Sequence, residues 1–576
     1  MNPLYTYRCL LVLLALLVGP WSYGQSIRLD NLRDQFGKGK PFKLNGALSA
    51  NGIYYNGNGG YGRDPFSYFV NGSMNLNLYG LVNLPFSFTL TSFGSDYSYP
   101  VPPNRFSIHP SYKSVTAHIG NIAATYSPYT LNGYLFTGVG VDVEPKDSGL
   151  KVSGIYGRLQ KAVEYDTANR ITAAAYERMG WGSKIEYQKD NYRLGMIAFH
   201  AWDDVNSIQN KPDSLQIYPM ANTVLSVNAG TRLWQHMDIA IEYATSAVTE
   251  DVRAANAESD NLFGRMLNNK ESTGYFHAIK SSLQYTFTST ILGVGYERID
   301  PGYRTLGAYY LNNDLENITV NAAQPLFKSK VQLAMNMGFQ RDNLDHAKSG
   351  SSTRFIGSVN VSYTPSDKLT SAFTYSNFQT FMRIRPQFVN INRLDNFQNL
   401  DTLDYTQVSQ NATASASYMF SQTDDEMKGI SVDLSFQETA DEQGGVVRNG
   451  NLSQFYNASV LYTLSRMSVG RNFSTGFNVS YNTIGRDDFI TLGPIASISA
   501  SILQKKITTG ANLSYNASRT TTEWDNHVFN VRCHAIYKVQ RKHTFNLNVL
   551  NQWRSTSEAS TNDVTVTVGY NFIFGT

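Results

Sequence analysis

The sequence predicts an all-β protein built as a single large transmembrane antiparallel β-barrel of about 24–26 strands. Three observations carry that expectation. Apolar and polar residues alternate over most of the chain, as in PFSFTLTSF, where Phe86, Phe88 and Leu90 interleave with Ser87, Thr89 and Thr91. A period of two places the apolar set on one face of an extended strand. The alternating stretches run to about 10–15 residues, longer than the ~5–6 of a soluble strand and sufficient for the ~9–11 that cross a bilayer. Finally, only 16% of the 576 residues are charged against 42% hydrophobic and 13% aromatic, yet the mean hydropathy is negative. A barrel reconciles these, because lipid-facing and lumen-facing residues cancel in any window. A helical membrane protein would show runs of about 20 apolar residues, and none follows residue 24.

The elements follow in chain order. MNPLYTYRCLLVLLALLVGPWSYGQS has Arg8, an apolar run over 10–18, then Gly19-Pro20 and the small-residue pattern Ser22-Tyr23-Gly24. This reads as a signal peptide over 1–24, with Gln25 as the mature start. A short periplasmic segment, 25–42, comes next, too short for an internal plug domain. The barrel takes 43–576. MNLNLYG (Met74, Leu76, Leu78), FIGSVNVSY (Phe355, Val359, Val361, Tyr363), STGFNVSY (Phe477, Val479, Tyr481) and HTFNLNV (Phe545, Leu547, Val549) repeat one design. About 25 such segments lie between Lys43 and Phe574, and the even strand number of bacterial barrels makes that 24–26. Connections in the second half alternate between short (SRM, 465–467; QKK, 504–506; QRK, 540–542) and long (382–404; 440–451). Short periplasmic turns and long external loops are expected of such a barrel. The alternation slips between about 126 and 180, around SPYTLNG and TANRITAAAYERMG.

The chain closes on DVTVTVGYNFIFGT, with Val564, Val566, Val568, Tyr570, Phe572 and Phe574 on one face. This strand resembles the C-terminal signal by which assembly machinery recognises outer-membrane barrels. Tyr570, Phe572 and Phe574 carry the resemblance; Gly575-Thr576 depart from it, since the familiar pattern ends on the aromatic. The stretch 118–166, with its order GN…YSPYTLNG…FTGVGV…YGR, resembles outer-membrane β-barrel proteins of the Bacteroidota that have no plug or periplasmic domain. The likeness covers about 50 residues and implies the outer membrane of a Gram-negative cell. It brings no activity to any residue. Physically, Gly120, Gly133, Gly138, Gly140, Gly154 and Gly157 suit bends in the wall, a loop folded against it, or a partner's docking seam.

Candidate lumen or rim charges are Arg158, Lys161, Arg383 and Arg385. Arg383 and Arg385 share a strand face, and a charge facing lipid at mid-bilayer costs about 2–4 kcal/mol, so the lumen or the rim should hold them. Asn71, Asn75, Asn77, Asn478, Asn482, Asn546 and Asn548 fit a wet interior suited to neutral or mixed polymers. Catalysis has no foothold. Cys9 falls in the leader, which leaves Cys533 as a lone thiol, and His534 beside it points to the opposite face. The histidines lack metal-ligand spacing, NLDHAKSGSS (343–352) lacks a nucleophile elbow, and the GKGK near Gly37 lacks a phosphate-loop context. No enzyme activity, cofactor or metal is expected, and a net charge of +3 makes no case for nucleic acid. The expected role is a transport or export channel for solutes or polymers. The alternative is a structural or interaction subunit of a multiprotein secretion or assembly complex, its lumen occluded by a partner. Expected partners are outer-membrane lipid, the barrel-assembly machinery and, on the alternative, other outer-membrane proteins.

Overall fold

A computed structural model describes residues 42–58, 64–92, 104–165, 174–209, 217–258, 269–347, 353–377, 410–439, 442–443, 446–447, 452–484, 487–520 and 523–575. They form a closed antiparallel barrel of 26 strands with no helix. The sheet contains 28 segments. Arg105–Ile108 and Ser111–Tyr112 are two pieces of one wall strand, and Gly307–Ala308 lies inside the barrel. The strand count therefore falls at the upper edge of the expected range. At ~4.8 Å between strands and a tilt of ~40°, 26 strands give a circular barrel about 50 Å across.

Closure joins the first strand, Phe42–Gly57, to the last, Ser560–Phe574, from Gly46↔Phe574 to Gly57↔Asp563. No edge remains, which is the condition for placing backbone in lipid. Both strands have their outer ends on the side of the short turns, such as 190–191, 234–236 and 540–542. The longer connections, such as 300–314, leave from the strand ends on the other side. The turn after Ser453–Arg466 covers 467–470, slightly later than SRM suggests, because Arg466 still pairs with Arg471.

The outer wall carries two aromatic levels. Phe529 stacks on Trp553 at 5.6 Å and Tyr456 lies 6.0 Å from Tyr481 toward the long-loop side. Tyr537 stacks on Phe545 at 6.5 Å, and Phe545 lies 4.9 Å from Tyr570, toward the short-turn side. On a single strand the levels are eight residues apart, Phe529 to Tyr537 or Phe545 to Trp553. Eight residues span about 27 Å along a strand and about 20 Å along the membrane normal, close to the ~25 Å apolar band of such barrels. Between the levels the outward positions hold Val531, Cys533, Ala535, Leu547 and Val549, and Cys533 is exposed on that face. The inward positions that alternate with them hold Asn530, Arg532, His534, Asn546 and Asn548, with Ile536 and Leu550 among them. Three inward amides lie on a cross-strand glycine: Asn228 on Gly195, Asn321 on Gly293 and Asn546 on Gly569. A Cβ at any of these glycines would collide with the amide head.

Candidate functional site: the inward-folded segments of the lumen

Among the described residues, two connections turn into the barrel instead of away from it. SPYT follows the strand Val115–Thr125 and precedes Leu131–Val143; its Ser127, Tyr129 and Thr130 are buried. The second runs from the end of Ile291–Ile299 through Tyr303, Thr305 and Leu306 to Leu315–Leu326. The two meet in the lumen. Tyr303 donates from its hydroxyl to the Tyr129 carbonyl at 2.9 Å, and Thr305 Oγ1 donates to the Thr130 carbonyl. Gly307–Ala308 adds a short parallel ladder to the start of Leu131–Val143, an edge that Leu150–Gln160 leaves free because its pairing begins only at Thr137↔Arg158.

What holds these segments down is an apolar core inside the barrel. Leu131, Phe136, Leu159, Phe199, Ala201, Val224 and Leu306 form one cluster, and Tyr129, Ala244, Ala278, Ile299, Tyr303 and Leu315 a second. Tyr303, Leu131 and Val224 are 0% exposed. Phe199, Ala201, Val224 and Ala244 are lumen-facing positions where water would otherwise stand. Burying each large aliphatic or aromatic side chain contributes about 1.5–3 kcal/mol, which offsets the entropy of ordering roughly a dozen loop residues at ~1–2 kcal/mol each.

Polar contacts set the position. Asn222, on Ala221–Leu233, donates from Nδ2 to Ser246 Oγ at 2.8 Å, to the Ala247 carbonyl at 3.0 Å and to the Arg304 carbonyl at 3.4 Å, while its Oδ1 accepts from the Leu306 N–H at 3.0 Å. Ser246 Oγ donates to the same Arg304 carbonyl at 2.6 Å, and Arg304 pairs with Glu250. At the tip, the Tyr129 hydroxyl donates to Glu297 Oε1 at 2.5 Å. Glu297 is lumen-facing, with Lys280 at 3.7 Å and Asn317 Nδ2 donating at 3.3 Å. Burial, and then the Glu297 carboxylate, push the Tyr129 hydroxyl well above its ordinary pKa; burial does the same to Tyr303. Both therefore stay neutral donors through physiological pH.

The residues singled out from the sequence are dispersed. Arg158 shares a face with the outward Tyr156 and opposes the core residue Leu159; it lies near the long-loop end and faces Glu177 at 3.6 Å. That is a rim position, not a lumen one, because Leu159 takes the inward place. Lys161 follows the strand end and is exposed. Arg383 and Arg385 fall outside the described residues. Tyr570, Phe572 and Phe574 lie along the outer face of the closing strand, with His543 4.8 Å from Phe572 and Phe572 5.5 Å from Phe574. The glycine-rich stretch holds both a close approach, where Gly138 faces Gly157 across strands, and a loop folded on the wall. Nothing in the period-two pattern marks Asn222, Ser246 or Glu297, since Asn, Ser and Glu are ordinary lumen-facing residues. The slip at SPYTLNG was the available signal.

Neither a protein-family model nor a curated protein matches the chain. Solved structures are similar to it. A chain of the E. coli P pilus tip assembly intermediate PapC-PapD-PapK-PapG is 11% identical with a TM-score of 0.44, over 92% of this chain and 61% of that one. The chain thus spans about three fifths of that protein's length. The FrpB iron transporter of Neisseria meningitidis is 11% identical with a TM-score of 0.36, over 92% and 81%. The copper transporter OprC is 9% identical with a TM-score of 0.40, over 93% and 81%. At such identities the likeness concerns architecture alone.

Proposed function

We propose that this protein is an outer-membrane transport or export channel whose cross-section is narrowed by its own inward-folded segments. One observation carries the reading: 126–130 and 303–308 are docked on the lumen face through a dry core, so the barrel supplies its own constriction. A wall about 50 Å across with no internal obstruction would leak; a cluster fixed to one arc reduces the passage and leaves a polar, amide-rich wall opposite. The chemistry supports passage, not turnover, and we assign the site no catalysis.

The test is planar-bilayer recording on protein extracted in mild detergent, with its native mass and every co-migrating chain determined on the same sample. Stepwise conductance by the protein alone, below that of an unobstructed pore, is the expected result. A silent protein that travels with a stoichiometric partner would replace this reading with the subunit alternative, in which the partner fills the lumen.

A further inference from the structure

On the short-turn half of the lumen, away from the docked segments, the first wall strands form an open depression of about 360 Å3 lined by Asn45, Ser73, Asn75, Pro85, Ser87 and His109, with Gly46, Met74 and Phe86 of the same strands also in its wall. This is within the ~300–1,000 Å3 of small-ligand pockets. The side chains lie on the inward face: Asn45, Ser73, Asn75 and Ser87 alternate with Leu44, Met74 and Phe86, which share the lipid-side face with the exposed Phe42 and Phe66.

The hydrogen-bonding capacity of the cavity is directed. Asp142 Oδ2 is 2.8 Å from His118 Nε2, and His118 Nδ1 is 2.8 Å from His109 Nδ1. An ionised carboxylate only accepts, so Nε2 of His118 carries the proton toward it. One proton lies between the two Nδ1 atoms, so the Nε2 of His109 accepts when His109 donates it and donates when His118 does. The three groups bond one another in a row and do not converge on a common point, so they form no metal site, in keeping with the absence of any such cluster among the described residues. Ser87 Oγ pairs with Ser107 Oγ at 2.7 Å, and Asn75 Oδ1 is buried without a hydrogen-bond partner in the protein. The cavity thus presents amides and hydroxyls that both donate and accept, an imidazole nitrogen, and apolar surface from Met74, Pro85 and Phe86. No ionised side chain lines it.

We propose that this cavity binds an uncharged, polyhydroxylated ring, one sugar residue of a glycan that enters the lumen. Hydroxyl groups that donate and accept match amides, serines and the imidazole, and the C–H face of the ring matches Pro85. A charged polymer fits less well, since no ionised side chain lines the cavity to pair with it. The inference deepens the channel reading by naming a substrate class.

The experiment is saturation-transfer NMR on the purified barrel in a detergent without a sugar headgroup, with maltohexaose and cellohexaose as neutral glycans and polyglutamate as the anionic control. Binding of at least one glycan and not of polyglutamate is expected. Asn75→Leu and His109→Phe should each weaken it about tenfold or more, since each strands a ligand hydroxyl; Asn321→Leu, lumen-facing on another arc, should leave it unchanged. The milder Ser87→Ala, with a several-fold loss, covers the case in which a larger change fails to fold, judged by heat-modifiable migration on gels. No binding of either glycan, or equal binding by folded variants, overturns the site. Conductance on the same samples separates the two readings: conduction without glycan binding removes the site and keeps the channel, and binding without conduction does the reverse.

Discussion

Asn222 is the residue on which the inner segments depend most. Its one amide meets the Arg304 carbonyl and the Leu306 N–H, two backbone groups that have left the wall ladder and stand in a dry core. Without Asn222 the Arg304 carbonyl keeps Ser246 Oγ as a donor, but the Leu306 N–H loses its acceptor, at a cost of about 1–3 kcal/mol. Asn222→Leu should therefore release the second segment and raise single-channel conductance, while the heat-modifiable fold persists. Tyr129 adds a pH dependence. Its folded-state pKa stands above the ordinary 10.0 through burial and then Glu297. For a group raised in the folded state, the stabilising contribution is complete below about pH 10 and is lost as pH rises toward and through the folded value. Conductance should rise at strongly alkaline pH, and Tyr129→Phe should remove that step. A Phe variant that keeps it would assign the step to another group. None of this was legible in the sequence, because the bond from Tyr303 to Tyr129 joins residues 174 apart.

At the scale of elements, most strands were legible, and short turns such as 504–506 and 540–542 were legible from the break in alternation, not from their turn residues. A strand that faces lipid on one side and water on the other must alternate, so the period-two pattern is dictated by its surroundings. The turns obey a different constraint. Leu503, Gln504 and Lys505 all have positive φ, 52°, 57° and 66°, as do Phe327, Lys328 and Ser329. These are conformations that Gly or Asn would normally mark, so neither turn carries the usual signal. A non-glycine residue there costs about 1–2 kcal/mol. Lys505→Gly should raise the urea midpoint of unfolding by relieving that strain, provided Lys506 N–H keeps its bond to the Leu503 carbonyl at 3.1 Å. An unchanged or lower midpoint would mean the chain entropy added by glycine outweighs the strain removed.

For the whole molecule, the expected 24–26 strands became 26 because pairing is sequential around the wall and closure requires the last strand to meet the first. The sequence could state the number and the closing strand, Ser560–Phe574, because each wall strand repeats the same pattern. It could not state how wide the passage is. That depends on which connections turn inward, and turning inward depends on apolar lumen positions such as Phe199 and Val224, which a loop covers.

Cys533 gives the molecule a native depth gauge. It lies four residues from Phe529 and four from Tyr537 on the outward face, so a probe attached to its sulfur would report from the bilayer midplane without any engineered cysteine. In reconstituted vesicles a fluorophore on this thiol should be quenched most by nitroxides near the end of the acyl chain and least by nitroxides at the headgroup. The opposite order would place Cys533 in water and would require a different account of which band of the wall lies in the membrane.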